Sequence, residues 1–128
     1  GDEMSLRREI AACGMRGHVV ILGKKANPYP YMAACGLYVQ PSRYEGRAVA
    51  VREAQILGRP VAITNFPTSA GHLEDGVDGI IIPNDEEGAA LALFRLLKDD
   101  ARLESLSAEC RRRDYGNRNE ILKLEALI

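Results

Sequence analysis

A chain of 128 residues has the length of one domain, and 17 Lys and Arg against 18 Asp and Glu leave it almost neutral. There is no basic excess to hold nucleic acid and no acidic tail. Its apolar runs are short, so neither a transmembrane span nor a signal peptide is expected.

In chain order, Met4 to Cys13 is expected to be a helix, with Leu6, Ile10 and Cys13 on one face and Gly14 as its stop. His18 to Leu22 reads as a short buried strand, because Val19-Val20-Ile21-Leu22 is continuously apolar. Pro28 opens a short helix to Cys35, and Leu37 to Gln40 is a second strand. Arg47 to Leu57 is the central helix. Gly58 closes it and Pro60 prevents its return. Val61 to Thr64 is a third strand, Asn65 to His72 a loop around Pro67, and Gly79 to Ile82 a fourth strand stopped by Pro83. Asn84 and Glu87 form a capping box for a helix through Lys98. Leu103, Leu106 and Cys110 mark the buried side of the next helix, and Asn117 with Glu120 caps the last. Cys13, Cys35 and Cys110 have no metal-type spacing and read as small core residues of a reducing compartment. His18 and His72 have no nucleophile partner and are not assigned to catalysis.

Continuously apolar strands separated by helices predict an α/β fold, a Rossmann-like parallel sheet with helices on both faces. Ligands of such sheets bind beyond the carboxyl ends of the strands. Lys24 and Lys25 follow the first strand, Glu45 the second and the 65–72 loop the third, so three loops converge on one rim. Glu45 and Glu53 bracket seven residues at the mouth of the central helix. Helix-start amides and the positive dipole end suit a phosphate, and a carboxylate accepts hydrogen bonds from sugar hydroxyls. Eight residues of helix rise roughly 12 Å, about the length of a sugar–diphosphate–ribose unit. A plainer reading also stands: Glu45 is a favourable charge at a helix start and Glu53 a polar position on a mostly buried helix.

The segment PSRYEGRAVAVREAQILGRPVAIT, followed by EDGVDGIIIP and DEEGAALALFRLLKDD, resembles the donor-binding half of retaining GT-B glycosyltransferases of the GT4 family (glycosyl transferase group 1). The resemblance covers nearly the whole chain, and the wording PSRYEGRAVAVREAQ is most similar to bacterial enzymes of capsule, lipopolysaccharide or exopolysaccharide synthesis. It implies one domain over residues 1–128, the C-terminal donor-binding part of a GT-B fold that lacks its first strands and the N-terminal acceptor domain. It implies an NDP-sugar substrate of UDP or GDP type, no cofactor and no metal. A hexose would pass to a glycan or lipid-linked acceptor held by the absent domain. The location would be cytoplasmic, or peripheral to the inner face of the membrane in the full-length enzyme.

Carried over by position, Glu45 resembles the glutamate that touches the transferred sugar, and Glu53 the one that binds the ribose. Gly46, Arg47, Ala48 and Val49 match the amides around diphosphate and sugar, and Lys24 and Lys25 match the loop beside the base. Tyr44 would pack. Arg47 would be either a cation near the diphosphate or a solvated helix-start arginine. Ser69-Ala70-Gly71 departs from the family's Gly-Gly-x-Pro-Glu turn, and Gly36 stands where an aspartate is usual. The missing region would carry the Arg and Lys that pair with the diphosphate. Two classes therefore remain: part of a glycosyltransferase, inactive alone, or a non-catalytic nucleotide-binding or interaction module of the same fold. Missing central strands of a 3-2-1-4-5-6 sheet would also leave an uncovered edge, through which the chain could self-associate.

Overall fold

Val61-Ala62-Ile63-Thr64 is buried at all four positions and forms the middle strand of the sheet. The computed structural model describes residues 2–41, 49–67, 69–113, 115 and 126–127. Among them the sheet is parallel, in the order β1 (Tyr38–Gln40), β2 (Val61–Thr64) and β3 (Ile80–Ile82). Val39 pairs with Ala62, and Ile63 with Ile81. The period-two alternation of a strand sends Val61 and Ile63 to one face. There they meet Val51 and Ala54 of α3 (Val49–Ile56), together with Phe66 and Leu73. Ala62 points the other way, with Ile82, toward Leu96 of α4 (Glu86–Leu97) and Leu106 of α5 (Asp100–Arg112). The expected α/β fold, with helices on both faces, is present. Full burial of one such side chain stabilises by about 1.5–3 kcal/mol.

The end of α3 is set by one glycine. Gly58 has φ +74°. Its N–H donates to the Gln55 carbonyl at 2.9 Å, and the Arg59 N–H donates to the Ala54 carbonyl at 3.0 Å. These two bonds satisfy the last carbonyls of the helix and need a left-handed residue between them. The Ser107 hydroxyl then donates to the Gly58 carbonyl at 2.6 Å, which fastens α5 beneath α3.

Several expectations are corrected. His18 to Leu22 is not a strand: only Arg16 and Val19 form an isolated bridge, and Val20 is 74% exposed. An apolar run becomes a strand only where a neighbour satisfies its amides and carbonyls, and none lies beside it among the described residues. The preceding helix, α1 (Asp2–Ala12), forms as expected, but Cys13 just beyond it is exposed rather than in the core. Cys35 is half-buried and Cys110 buried. The cap of α4 is Asp85, whose carboxylate accepts from the Gly88 N–H at 2.7 Å, not Asn84. The Asn84 amide is used across the rim, donating to the Asn65 carbonyl at 3.3 Å. Asp99 caps α5 in the same way through the Arg102 N–H. The short helix α2 (Tyr29–Ala34) follows Pro28 as expected. The predicted helix capped by Asn117 and Glu120 has both capping residues outside the described residues.

Candidate functional site

The strands end together at Gln40, Thr64 and Ile82, which defines the carboxyl rim. A cavity of about 200 Å³ opens there, lined by Pro41, Thr64, Asn84, Asp85, Glu86 and Ala89. The chain leaves β1 at this cavity and returns as α3, whose first described residue, Val49, is 60% exposed. Glu45, Gly46, Arg47 and Ala48, and with them Tyr44, lie between these points and outside the described residues. Pro41, the last described residue before the predicted glutamate loop, is thus at the rim where a ligand of a parallel sheet is expected.

Glu53 lies four residues into α3 from Val49, about 6 Å along the axis. It is half-buried, and its Oε2 accepts a hydrogen bond from the Tyr29 hydroxyl of α2. That bond, then burial, then the carboxylate's charge raise the Tyr29 phenol above its ordinary pKa. The Tyr29 backbone is itself fixed, its N–H donating to Asn27 Oδ1 at 3.1 Å. A carboxylate has two acceptor oxygens, so the Tyr29 bond orients Glu53 and leaves Oε1 for a second donor. Lys24 and Lys25 are exposed in the segment leading to α2, with the Lys25 ammonium 5.7 Å from the Tyr31 ring centre. The structure therefore joins Glu53 to the helix just after the two lysines. It brings neither lysine into direct contact with Glu53 by any hydrogen bond or ion pair described. The polarity of Glu53 was legible from sequence; Tyr29 was missed, since a tyrosine between prolines gives no spacing signal toward a glutamate 24 positions on.

A further cavity, about 610 Å³, lies elsewhere. It lies on the flank between α3, the β2–β3 connection and the end of α5, with Arg52, His72, Glu74, Asp78, Arg113 and Tyr115 in its wall. Its centre is Asp78, only 2% exposed. The Asp78 carboxylate accepts from the Glu74 N–H at 2.7 Å, the Tyr115 hydroxyl at 2.9 Å and Arg113 Nη1 at 3.3 Å. Its carbonyl accepts from the Gln55 amide at 3.0 Å. Arg113 also pairs with Glu74 at 2.6 Å and Glu109 at 3.0 Å, and the Arg52 guanidinium lies 4.5 Å from the centre of the Tyr115 ring. Burial first, then Cys110 and Asp78, hold the Tyr115 phenol far above its ordinary pKa. Arg112 and then Arg113 hold the Glu109 carboxyl down at about 2. The Arg113 charge is already shared among three carboxylates, so this flank serves to tie α3, α5 and the β2–β3 connection together. Sequence reasoning found none of this network; buried Asp78 sits in a run that reads as an ordinary Gly-Val-Asp-Gly turn.

His72 packs against Phe66, with ring centres 5.5 Å apart. Among the described residues no group of three His, Cys, Asp or Glu is placed to hold a metal ion. No described helix is long and apolar enough to cross a membrane.

Residues 1–99 match the family model for glycosyl transferases group 1. The chain is 31% identical over 106 residues to the alpha-D-kanosaminyltransferase of Streptomyces kanamyceticus, covering 81% of this chain and 28% of that protein. It is 26% identical over 114 residues to the Escherichia coli UDP-Gal:alpha-D-GlcNAc-diphosphoundecaprenol alpha-1,3-galactosyltransferase, covering 88% of this chain and 29% of that one. The crystal structure of Anabaena HepE in complex with UDP superposes with a TM-score of 0.77 at 20% identity, over 97% of this chain and 34% of HepE, a likeness of fold. The chain thus spans between 28% and 34% of the length of these three proteins.

Proposed function

The chain belongs to the glycosyl transferases group 1, and from that premise we propose that it is the nucleotide-sugar-binding part of a retaining transferase of the GT4 type. Its single domain, residues 1–128, binds an NDP-sugar of UDP or GDP type. The transfer moves a hexose to a glycan or lipid-linked acceptor in bacterial surface polysaccharide synthesis, on the cytoplasmic side and at most peripheral to the membrane. Glu53 binds the ribose hydroxyls through its second oxygen. The amides of Gly46, Arg47, Ala48 and Val49 hold the diphosphate at the start of α3. Glu45 meets the sugar, and the Lys24–Lys25 segment flanks the base. The named activity of the Escherichia coli relative and the UDP held by HepE support the substrate class.

The observation that carries this reading is the Glu53–Tyr29 bond. It ties the Glu53 carboxylate of α3 to Tyr29 of α2, the helix that follows the two lysines. Titration of the chain with UDP, GDP and ADP, followed by amide chemical shifts, tests it. Shifts are expected at Val49, Glu53 and Lys24–Lys25. Glu53→Gln should weaken binding by about 1–3 kcal/mol, the range for a charged hydrogen bond. A 2′,3′-dideoxy nucleotide should hardly feel the change. Equal losses for both nucleotides would remove Glu53 from the ribose, and shifts confined to the 610 Å³ flank cavity would move the site altogether.

A further inference from the structure

The outer face of α4 carries a pattern unrelated to the donor site. The helix buries Ala89, Ala92, Leu93 and Leu96 against the sheet and α5. The opposite side is also apolar: Leu91 is 50% exposed, Phe94 55% and Leu97 58%. A surface helix ordinarily presents charged residues there. Contiguous apolar surface of this kind marks an interaction site more often than scattered single residues do.

Glu87, Leu91, Phe94 and Lys98 follow one another at spacings of four, three and four residues. At 100° per residue they form a narrow straight stripe about 16 Å long. The spacing is the same read from either end, while the charge is opposite at the two ends. Glu87 belongs to the acidic first turn, and Lys98 is the C-cap, its ammonium already lying 4.2 Å from the centre of the Phe94 ring. A stripe palindromic in spacing and antisymmetric in charge is complementary to itself when turned end for end. Laid antiparallel on a second copy, Leu91 faces the other copy's Phe94 and Glu87 faces its Lys98, twice over, about a two-fold axis between positions 91 and 94. That is an isologous contact, the kind that closes as a dimer.

We propose that α4 is a homodimer surface, and that its occupant is the α4 of a second copy of this chain, packed antiparallel. One helix pair buries less than a standard interface, so the dimer is weak, in the micromolar range or above. The end charges set direction and register more than affinity. The contact lies on the α4 side of the sheet, away from the β1 edge.

Sedimentation velocity of the 128-residue chain, from micromolar to millimolar loading, tests this. The apparent mass should rise with loading from 14.0 kDa toward twice that value. Phe94→Glu should hold the chain monomeric throughout. Since Phe94 is on the surface, its circular dichroism and melting should match the parent. Glu87→Lys and Lys98→Glu should each weaken the dimer about tenfold, through two lost ion pairs and two like-charge contacts. The doubly exchanged chain, Glu87→Lys with Lys98→Glu, should regain most of that loss. Monomer at every loading would overturn the proposal. So would a dimer that survives Phe94→Glu, which would assign association to another surface such as the β1 edge. A charge exchange that restores nothing would reject the antiparallel register. Binding of anionic vesicles lost in Phe94→Glu, without any dimer, would give the stripe to a membrane surface instead.

Discussion

Residues 18–22 and residues 61–64 are both short apolar runs, and nothing in their composition distinguishes them as strands. Val61 to Thr64 is wholly buried at the centre of the sheet. Val19, Val20 and Leu22 are 46%, 74% and 48% exposed and make only one isolated bridge. The difference is in what stands beside them. The later run has β1 and β3 to take its backbone hydrogen bonds, α3 on one face and α4 with α5 on the other. The earlier run has the segment after α1 and no ladder. A strand is a property of a pair, and the same letters yield a core in one place and an exposed strip in the other.

The comparison is sharpened first in the core. Ile63→Ala removes a side chain that is 0% exposed between Val51 and Phe66, and should cost about 2–5 kcal/mol by denaturant titration. A loss below 1 kcal/mol would mean that this side of the sheet is loosely packed. Asp78→Ala comes next, at about 2–3 kcal/mol, because the Glu74 N–H, Tyr115 hydroxyl and Arg113 lose a shared acceptor. Its second readout is the Tyr115 phenol, whose pKa should fall only part of the way, because burial and Cys110 are larger causes than Asp78. Gly58→Ala should cost about 1–2 kcal/mol. The φ of +74° strains any Cβ, and the new atom would stand 2.7 Å from the Arg111 stem. That stem is flexible and can yield, so the backbone term dominates. No loss on this change would mean that the α3 end does not use its left-handed residue.

What was legible follows the same division. Helices α4 and α5, and the strands β1 to β3, are visible in local periodicity because their burial agrees with local propensity, whereas α1 and α2 form with no fully buried residue among those described. Gly58 is visible because a single conformation requires it. Local letters do not name a neighbour, so they could not show that 18–22 lacks one. Asp85 took the cap from Asn84 because Asn84 found a partner across the rim at Asn65, a contact 19 positions away. At the site, the spacing and polarity of Glu53 could be read. Its orientation by Tyr29, and the Asp78 network, depend on side chains brought together by the fold. The first glutamate, Glu45, lies outside the described residues, so its reading rests on sequence and family alone.

A smaller effect separates charge from packing. The Glu109 carboxyl sits at about 2 because Arg112 and Arg113 bond its ionised form. A depressed carboxylate contributes stability that is fully present above its unfolded pKa of about 4.3 and is lost as pH falls through the folded value. Stability should therefore decline between about pH 4.5 and pH 2. Glu109→Gln should flatten part of that decline by lowering the neutral-pH plateau while leaving the acid end unchanged, and the drop is moderated by solvent at the exposed Arg112. An acid limb identical in the two proteins would assign the decline to other carboxylates.

The smallest expected change is the most direct test of the opening comparison. Val20→Lys introduces a charge into an apolar run, a change that in a central strand would prevent folding. At 74% exposure the new ammonium stays in water, so stability should shift by no more than about 0.5 kcal/mol. The paired control is Val61→Lys, at a position that is 0% exposed, where an unpaired buried charge should abolish the cooperative transition. Amide exchange reports the same contrast without mutation. The N–H groups of 61–64 should exchange only on global opening, and those of 20–22 near the unprotected rate. If Val20→Lys proved as damaging as a core change, or its neighbours' amides were protected, the strip would be covered in solution. The run at 18–22 would then be a strand whose partner is a second chain.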